Sequence, residues 1–223
     1  MALAGMLAAS CKKDTGVQSN TASLNIINAS SAVPEAAINY SAAGFSYSQN
    51  KTFIGYQSAL EFGLPTGSNP VNIISSADTT GSVFHGSLNL QLGGIYSLYL
   101  AGNSTKADTV FMKDNIPYYG ADSVAGARFI NLSPDSQPFN IRLQGSGTND
   151  FSGIAYKKIT GFKKYPATMA VTNNGGYIYE VTDASGNVLT TFNWFPAVFK
   201  NNTLVISGSV GDGSISVFAV NNY

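Results

Sequence analysis

The chain has one cysteine, one histidine and little charge, and each scarcity closes off a class of function. With Cys11 as the single cysteine among 223 residues, no intramolecular disulfide can form. A zinc site of Cys and His ligands lacks its members, because His85 is the only histidine. The same shortage bears on catalysis: a Ser-His-Asp triad would have to use His85, and no Gly-x-Ser-x-Gly elbow occurs. Gly145-Ser146-Gly147 and Ser207-Gly208-Ser209 are glycine-rich but lack the Lys-Ser/Thr ending of a phosphate-cradling loop. The pattern is that of a non-enzyme without cofactor or metal. Twelve basic side chains balance twelve acidic ones and only 11% of residues are charged, so no global field draws the chain to nucleic acid. No apolar run approaches the roughly twenty residues that a membrane-spanning helix needs.

What is present argues for a folded β protein. Hydrophobic residues make up 44% and aromatic residues 12%, which excludes a disordered chain. Twenty-three glycines and eight prolines along the whole length fit many turns and few long helices. Alternation dominates the middle of the chain. Phe84, Gly86, Leu88, Leu90 and Leu92 fall on one side of a strand, and His85, Ser87, Asn89 and Gln91 on the other. Phe139, Ile141 and Leu143 alternate with Asn140, Arg142 and Gln144, and Ile215, Val217 and Ala219 with Ser214, Ser216 and Phe218. Period two of this kind marks antiparallel sheets with one face in a core and one in water. Ser185-Gly186-Asn187 and Gly211-Asp212-Gly213 supply the positive φ of tight hairpins between such strands.

The two halves match each other. Asn28 pairs with Asn131, Tyr56 and Phe62 with Tyr156 and Phe162, and Pro65 with Pro166. The stretch Gly94–Gly102 pairs with Asn202–Gly208, and Val110-Phe111 with Val217-Phe218. Offsets that drift by a few residues over several anchors point to duplication with loop insertions. The expected organisation is all-β: two tandem antiparallel β-sandwich domains of immunoglobulin-like type, at 22–113 and 127–223, joined by a linker at 114–126. About seven strands per copy are expected from about 100 residues.

The first 21 residues have a different character. Met1–Ala9 is apolar and small, and Leu7-Ala8-Ala9-Ser10-Cys11 resembles a bacterial lipobox, in which the cysteine is lipidated and becomes the first mature residue. Residues 1–10 are then the remnant of a signal peptide and 11–21 a lipidated Cys11 with a flexible tether. A start upstream of Met1 is expected, since no Lys or Arg precedes Cys11. The alternative is a free thiol in a tail.

Ile130-Asn131-Leu132-Ser133-Pro134-Asp135, followed by Phe139-Asn140-Ile141-Arg142-Leu143, resembles the opening of a bacterial family, domain of unknown function 4397. Ile154-Ala155-Tyr156, Ile159-Thr160-Gly161-Phe162 and the strand ending at Gly208 are similar to it too. The resemblance covers roughly residues 22–222 as two copies, with Ser31-Ala32 in the first where the second has Pro134-Asp135. It implies β-sandwiches, placement outside the cytoplasm and no established enzyme activity.

Four groups of residues are candidate sites, each beside a structural alternative. Asn131, Ser133 and Asp135 could form a polar or calcium site, or simply bond local backbone in a turn that Asn28 and Ser30 repeat. Lys157, Lys158, Lys163 and Lys164, interleaved with Tyr156, Phe162 and Tyr165, could hold phosphates or an acidic polysaccharide, or be a solvated face over core rings. Trp194 could be a platform for a sugar ring or an inter-sheet anchor. Tyr119, beside Tyr118, could contact a ligand or wedge the domains together.

The function these features lead one to expect is a lipid-anchored lipoprotein of the cell envelope, held in the outer membrane and facing the periplasm or the exterior. It would be a binding or structural module. Its partners would be the membrane, through its anchor, and a polysaccharide or another envelope protein. Two specific versions are a glycan-binding accessory lipoprotein of a nutrient-uptake system and an adhesion or envelope-scaffold protein that pairs through an edge strand.

Overall fold

The computed structural model describes residues 20–222 apart from 42, 44–45, 50–51, 104–105 and 121–122. The lipobox and Cys11 lie outside the described residues. Among the described residues sixteen strands carry the fold: β1 Thr21–Asn28, β2 Glu35–Asn39, β3 Phe53–Gly55, β4 Ser58–Pro65, β5 Gly67–Ser75, β6 Ser82–Leu90, β7 Ile95–Asn103 and β8 Lys106–Lys113. Then come β9 Val124–Asn131, β10 Phe139–Leu143, β11 Phe151–Ile154, β12 Lys163–Pro166, β13 Tyr177–Thr182, β14 Val188–Trp194, β15 Asn201–Ser207 and β16 Ser216–Asn221. Among the described residues the only helical pieces are a 3-10 turn at Tyr47–Gln49 and a five-residue helix at Met169–Asn173. None is long and apolar enough to cross a membrane.

The strands form four sheets of four, and the sheet orders repeat. In the first half they run β4-β1-β7-β8 and β3-β2-β5-β6; in the second, β12-β9-β15-β16 and β11-β10-β13-β14. The chain is thus two β-sandwiches of one topology, each with eight strands rather than about seven; the short β3 and β11, of three and four residues, carry little sequence pattern. Both halves also contain one parallel pair, β1 with β7 and β9 with β15.

Register shows which sequence matches are structural. Thr21 faces Pro65 in one sheet and Val124 faces Pro166 in the other, so the two prolines are equivalent. Asn28 and Asn131 occupy one corner: each side-chain amide donates to a carbonyl on the third strand, Ile54 at 3.2 Å and Ile154 at 2.9 Å. In the same corner Gln57 and Lys157 both take positive φ, 58° and 64°, and each N–H donates to the carbonyl of its corner asparagine at 2.7 Å. A non-glycine residue rarely adopts that conformation, and its recurrence marks a turn both copies require.

Two of the sequence matches slip by one residue. Leu24 faces Phe62, while its counterpart Ala127 faces Lys163, so Phe62 corresponds to Lys163 and not to Phe162. Likewise Val110 corresponds to Phe218, since Tyr99 and Val205 are their partners. One residue of slip reverses the face a side chain occupies. Leu92 also departs from the expected alternation: it lies in the turn after β6 and is 62% exposed.

Each sandwich has its own core. That of the first is aliphatic, built on Leu24, Ile26, Ile38, Ile73 and Leu98. That of the second is aromatic, with Phe129, Tyr165, Tyr179 and Trp194 in edge-to-face and stacked contact. A third cluster joins Ile27, Tyr99 and Ala101 of the first half to Ile130, Leu132 and Val205 of the second. These residues lie on the outer faces of β1, β7, β9 and β15, so the two sandwiches pack sheet on sheet. The inner strands are therefore buried on both faces, which is why β7 and β15 read as continuous rather than alternating runs. Phe218, expected on a water-facing side, contributes to this seam.

The seam is reciprocal. Gln57 of the first corner donates to Ser207 and Ser216 of the last hairpin, while Lys157 of the second corner pairs with Asp108. Ala101 faces Asp108 as Ser207 faces Ser216, so Asp108 and Ser216 are equivalent positions. The same patch thus meets itself, as in a twofold dimer, though within one chain. One contact has no reciprocal: Arg128 on β9 pairs with Asp114 just beyond β8, and the two side chains are 5% and 0% exposed. Arg128 Nε also donates to Thr203 at 2.8 Å, and Asp114 accepts from Ser97 at 2.7 Å, so the buried charges are hydrogen-bonded on both sides.

Candidate functional site

Rings and cations meet in a cleft at the seam. The cleft, of about 470 Å³, lies between the end of β8, the following linker and the β9–β12 edge. That volume falls within the roughly 300–1,000 Å³ of small-molecule sites. Its walls include Lys113, Tyr119, Arg128, Thr160, Phe162 and Lys164. No Asp or Glu is among the described residues that line it.

Local structure explains each wall. After β8 the linker crosses back over the second sandwich, anchored where Asn201 donates to the Pro117 carbonyl at 2.9 Å. Tyr119 then lies on the backbone of Gly126: a Cβ there would come within 2.8 Å of the ring, so only glycine leaves room for it. Phe162 stands beside Arg128, whose guanidinium carbon is 4.5 Å from the ring centroid. Lys164 Nζ lies 5.0 Å from the centroid of Tyr119. Lys113 donates to Gln91 Oε1 at 2.7 Å. The Arg128 charge is met from behind by Asp114.

The residues singled out by sequence separate. Tyr119 and Lys164 come together in the cleft. Lys163 and Lys164 are adjacent on β12 and point to opposite faces, so Lys163 turns away to pair with Asp150. Lys157 is held in the seam by Asp108, and Lys158 is exposed on the neighbouring turn. The basic run is therefore not one surface. Trp194 is 3% exposed and donates from Nε1 to Asn202 at 3.0 Å, which makes it a core anchor that no sugar can reach. The exposed ring of that stretch is Phe195, at 54%. Tyr118 projects into solvent at 89% exposed, and Tyr119 alone packs on the fold.

Asn131, Ser133 and Asp135 are structural. Asn131 Oδ1 accepts from the Ser133 N–H at 2.9 Å, as Asn28 Oδ1 does from Ser30 at 3.2 Å. Asp135 accepts from Ser209 Oγ and from the N–H groups of Val210 and Gly211, clamping the loop between β15 and β16. Partial burial raises its pKa, but hydrogen bonds from Ser209, Gly211, Val210 and Ser133 outweigh that and bring it down to about 2. No group of three His, Cys, Asp or Glu side chains among the described residues is placed to hold a metal ion. His85 is exposed on β6.

Sequence reasoning missed Lys113 and Arg128 as cleft residues, and had grouped Phe162 with all four lysines, of which only Lys164 lines the cleft. Lys113 sits at the end of a strand with no motif around it, and Arg128 sits inside an otherwise apolar strand. That isolated charge was the available signal, since a buried arginine needs a partner that sequence does not name.

No protein-family model matches the chain, and no curated protein does. Among solved structures it is similar to the C-terminal domain of AlgF from P. aeruginosa, at 14% identity over 43% of this chain and 99% of that one, with a TM-score of 0.33. It is also similar to the Bacillus anthracis TIE protein, at 14% identity over 85% of this chain and 33% of that one, with a TM-score of 0.26. A third is CBMbc, of family CBM26, from Eubacterium rectale Amy13K in complex with maltoheptaose, at 7% identity over 90% and 97% with a TM-score of 0.28. All three scores are below 0.5, and nothing about this chain follows from them.

Proposed function

We propose that the chain is a non-catalytic binding module of the cell envelope, lipid-anchored at Cys11 in the outer membrane, with a polysaccharide as its partner. The observation that supports binding is the cleft at the seam, which combines Tyr119 and Phe162 with the cationic side chains of Lys113, Arg128 and Lys164. Its walls come from both sandwiches, and the third hydrophobic cluster behind them holds the two together. A ligand there would meet a preformed site and order little on binding. The lipobox-like Leu7–Cys11 supports the anchor, and the likeness to the domain of unknown function 4397 family belongs to the same proposal.

Two experiments test the two parts. Metabolic labelling of cells with palmitate should mark the wild type and not Cys11→Ser; no label on the wild type removes the anchor. Retention of the full-length chain on immobilised envelope polysaccharides should fall with Tyr119→Ala and not with Lys158→Ala. Equal retention of both variants removes the cleft as the binding site.

A further inference from the structure

Resting on the anchor of that reading, we propose that one end of the molecule is a lipid-docking face. Leu92, Tyr118, Met169, Phe195 and Phe199 enter the headgroup–acyl boundary of the bilayer that holds Cys11. Among the described residues these are the five large apolar side chains with at least half their surface exposed, from 50% for Phe199 to 89% for Tyr118. Single exposed apolar residues need no explanation, but a set gathered in one place marks an interaction surface.

Topology gathers them. Leu92 lies in the turn between β6 and β7, where the Gly93 N–H donates to the Thr21 carbonyl at 3.0 Å. Phe195 and Phe199 lie in the loop between β14 and β15, and the Phe199 N–H donates to the Val124 carbonyl at 2.9 Å. Met169 follows β12, whose last residue faces Val124. Tyr118 follows Pro117, whose carbonyl is held by Asn201 at the start of β15. Thr21 and Val124 open β1 and β9, so each copy presents the end at which its inner strands begin.

The seam sets those two ends side by side. Arg128 on β9 meets Asp114, whose N–H donates to the carbonyl of Ile95, the first residue of β7. At the far end corner meets corner, through Gln57 with Ser207 and Lys157 with Asp108. The loops of that far end carry Ser31, Asp135, Ser209 and Asp212, and their most exposed large apolar side chain among the described residues is Val210, at 38%. The molecule is thus apolar at one end and polar at the other. None of the five apolar residues lines the cleft.

The place where the tether joins the fold names the occupant. Residues 11–20 precede Thr21, at the apolar end, and ten residues span at most about 35 Å when fully extended. β1 and β9, of eight residues each, are about 26 Å long. A lipid on Cys11 keeps the apolar end within reach of the bilayer, while the corner end stands a strand length further from the attachment. The residue types suit an interface, where aromatic and aliphatic side chains leave water without a spanning segment. Phe199 holds φ at 64°, a conformation that glycine adopts at little cost, so this ring is carried outward against the preference of its backbone.

Two measurements test the face. In the first, the lipidated full-length chain sits in phosphatidylcholine vesicles with spin labels on their acyl chains, and carries a fluorophore at Phe199→Cys or, in a second sample, at Val210→Cys. The label at 199 should be quenched and the label at 210 should not. Equal quenching at both, or none at 199, overturns the proposal. In the second, the full-length chain with Cys11→Ser, which lacks the lipid, is floated with the same vesicles free of spin label. Phe195→Ser with Phe199→Ser should lower its partitioning roughly tenfold or more, and Val210→Ser should leave it unchanged. Leu92→Gln with Met169→Gln reaches the same surface from both halves and serves if the phenylalanine variant does not fold. Equal partitioning of all variants overturns the face, as does a dimer in sedimentation that the phenylalanine changes dissolve, since the occupant is then a second copy. Palmitate labelling that succeeds while flotation fails removes the docking face and leaves the anchor; the reverse result removes the anchor and leaves the face.

Discussion

The two sandwiches share a strand order, a corner and a parallel pair, yet they fill their interiors differently. Where the first has Leu24 and Leu64 on its inner face, the second has Ala127 and Tyr165, set by the same ladders. Ile38 faces Ile73 and Ile141 faces Val181; two residues along those strands, Val71 is matched by Tyr179. Following β6 and β14 in the same register, Leu88 is matched by Trp194. Large replaces small at one position while small replaces large at another. A fold of this kind therefore specifies positions to be filled, and the volume can be distributed among them in more than one way.

The halves differ more sharply outside their cores. Arg128 stands where the first copy has Asn25, and it joins the sandwiches through Asp114. Asp135 stands where the first has Ala32, and it clamps a loop after β15 that has a much shorter counterpart after β7. An added loop and the carboxylate that organises it occur together. Gly208 shows the same tightness: at φ 90° a Cβ there would run into the Ser214 carbonyl.

These differences can be broken one at a time. Arg128→Ala should have the largest effect, about 3–5 kcal/mol in denaturant unfolding, because it leaves the Asp114 carboxylate buried without its countercharge. Asn25→Ala, at the matching place, should cost under about 1 kcal/mol, since its Oδ1 has no hydrogen-bond partner to lose. If the two cost the same, the seam does not depend on the buried pair. Leu24→Ala, which gives the first core the second's residue, should cost about 2–5 kcal/mol in the same assay, and the reverse change Ala127→Leu about 1–3 by overpacking. Near-neutral outcomes for both would show that the cores are interchangeable at this position.

Smaller effects separate the corners. Lys157→Gln copies Gln57 into the second half; both partners of the Lys157–Asp108 pair are 35% exposed, so the loss should stay below about 1 kcal/mol after solvent screening and shrink in high salt. A loss that salt leaves unchanged would mean the lysine acts through packing. Asp135 has a folded pKa of about 2, below the ordinary carboxylate value of about 3.9. Its contribution is therefore present above the ordinary range and is lost as pH falls through about 2. Asp135→Asn should lower Tm modestly at pH 7, with the difference closing towards pH 2. A gap that widens on acidification would contradict the clamp.

Much of this was legible in residue order. Period two in Phe84–Leu90 and Phe139–Leu143 marked strands with one face in a core, and Gly186 and Gly213 marked hairpins. The pairing of Asn28 with Asn131 located the shared corner, because an asparagine bonding its own turn is a local device. The slips at Phe62 and Val110 were not legible. Adjacent aromatic and β-branched residues align equally well at either register, and only the ladder decides which face each takes. The cleft was half legible: Tyr119, Phe162 and Lys164 were among the residues of the candidate groups, while Lys113 reaches it from the end of β8, far from them in sequence.

Composition and periodicity by themselves determined an all-β chain and the repeat within it, because strand alternation and turn chemistry act over a few residues. Tertiary structure alone decided that the two sandwiches join sheet to sheet, and that a run of four lysines splits among a seam, an exposed turn, an ion pair and a cleft. Those outcomes depend on which surfaces meet after the strands have formed, and contacts between surfaces distant in sequence leave no periodic trace in either one.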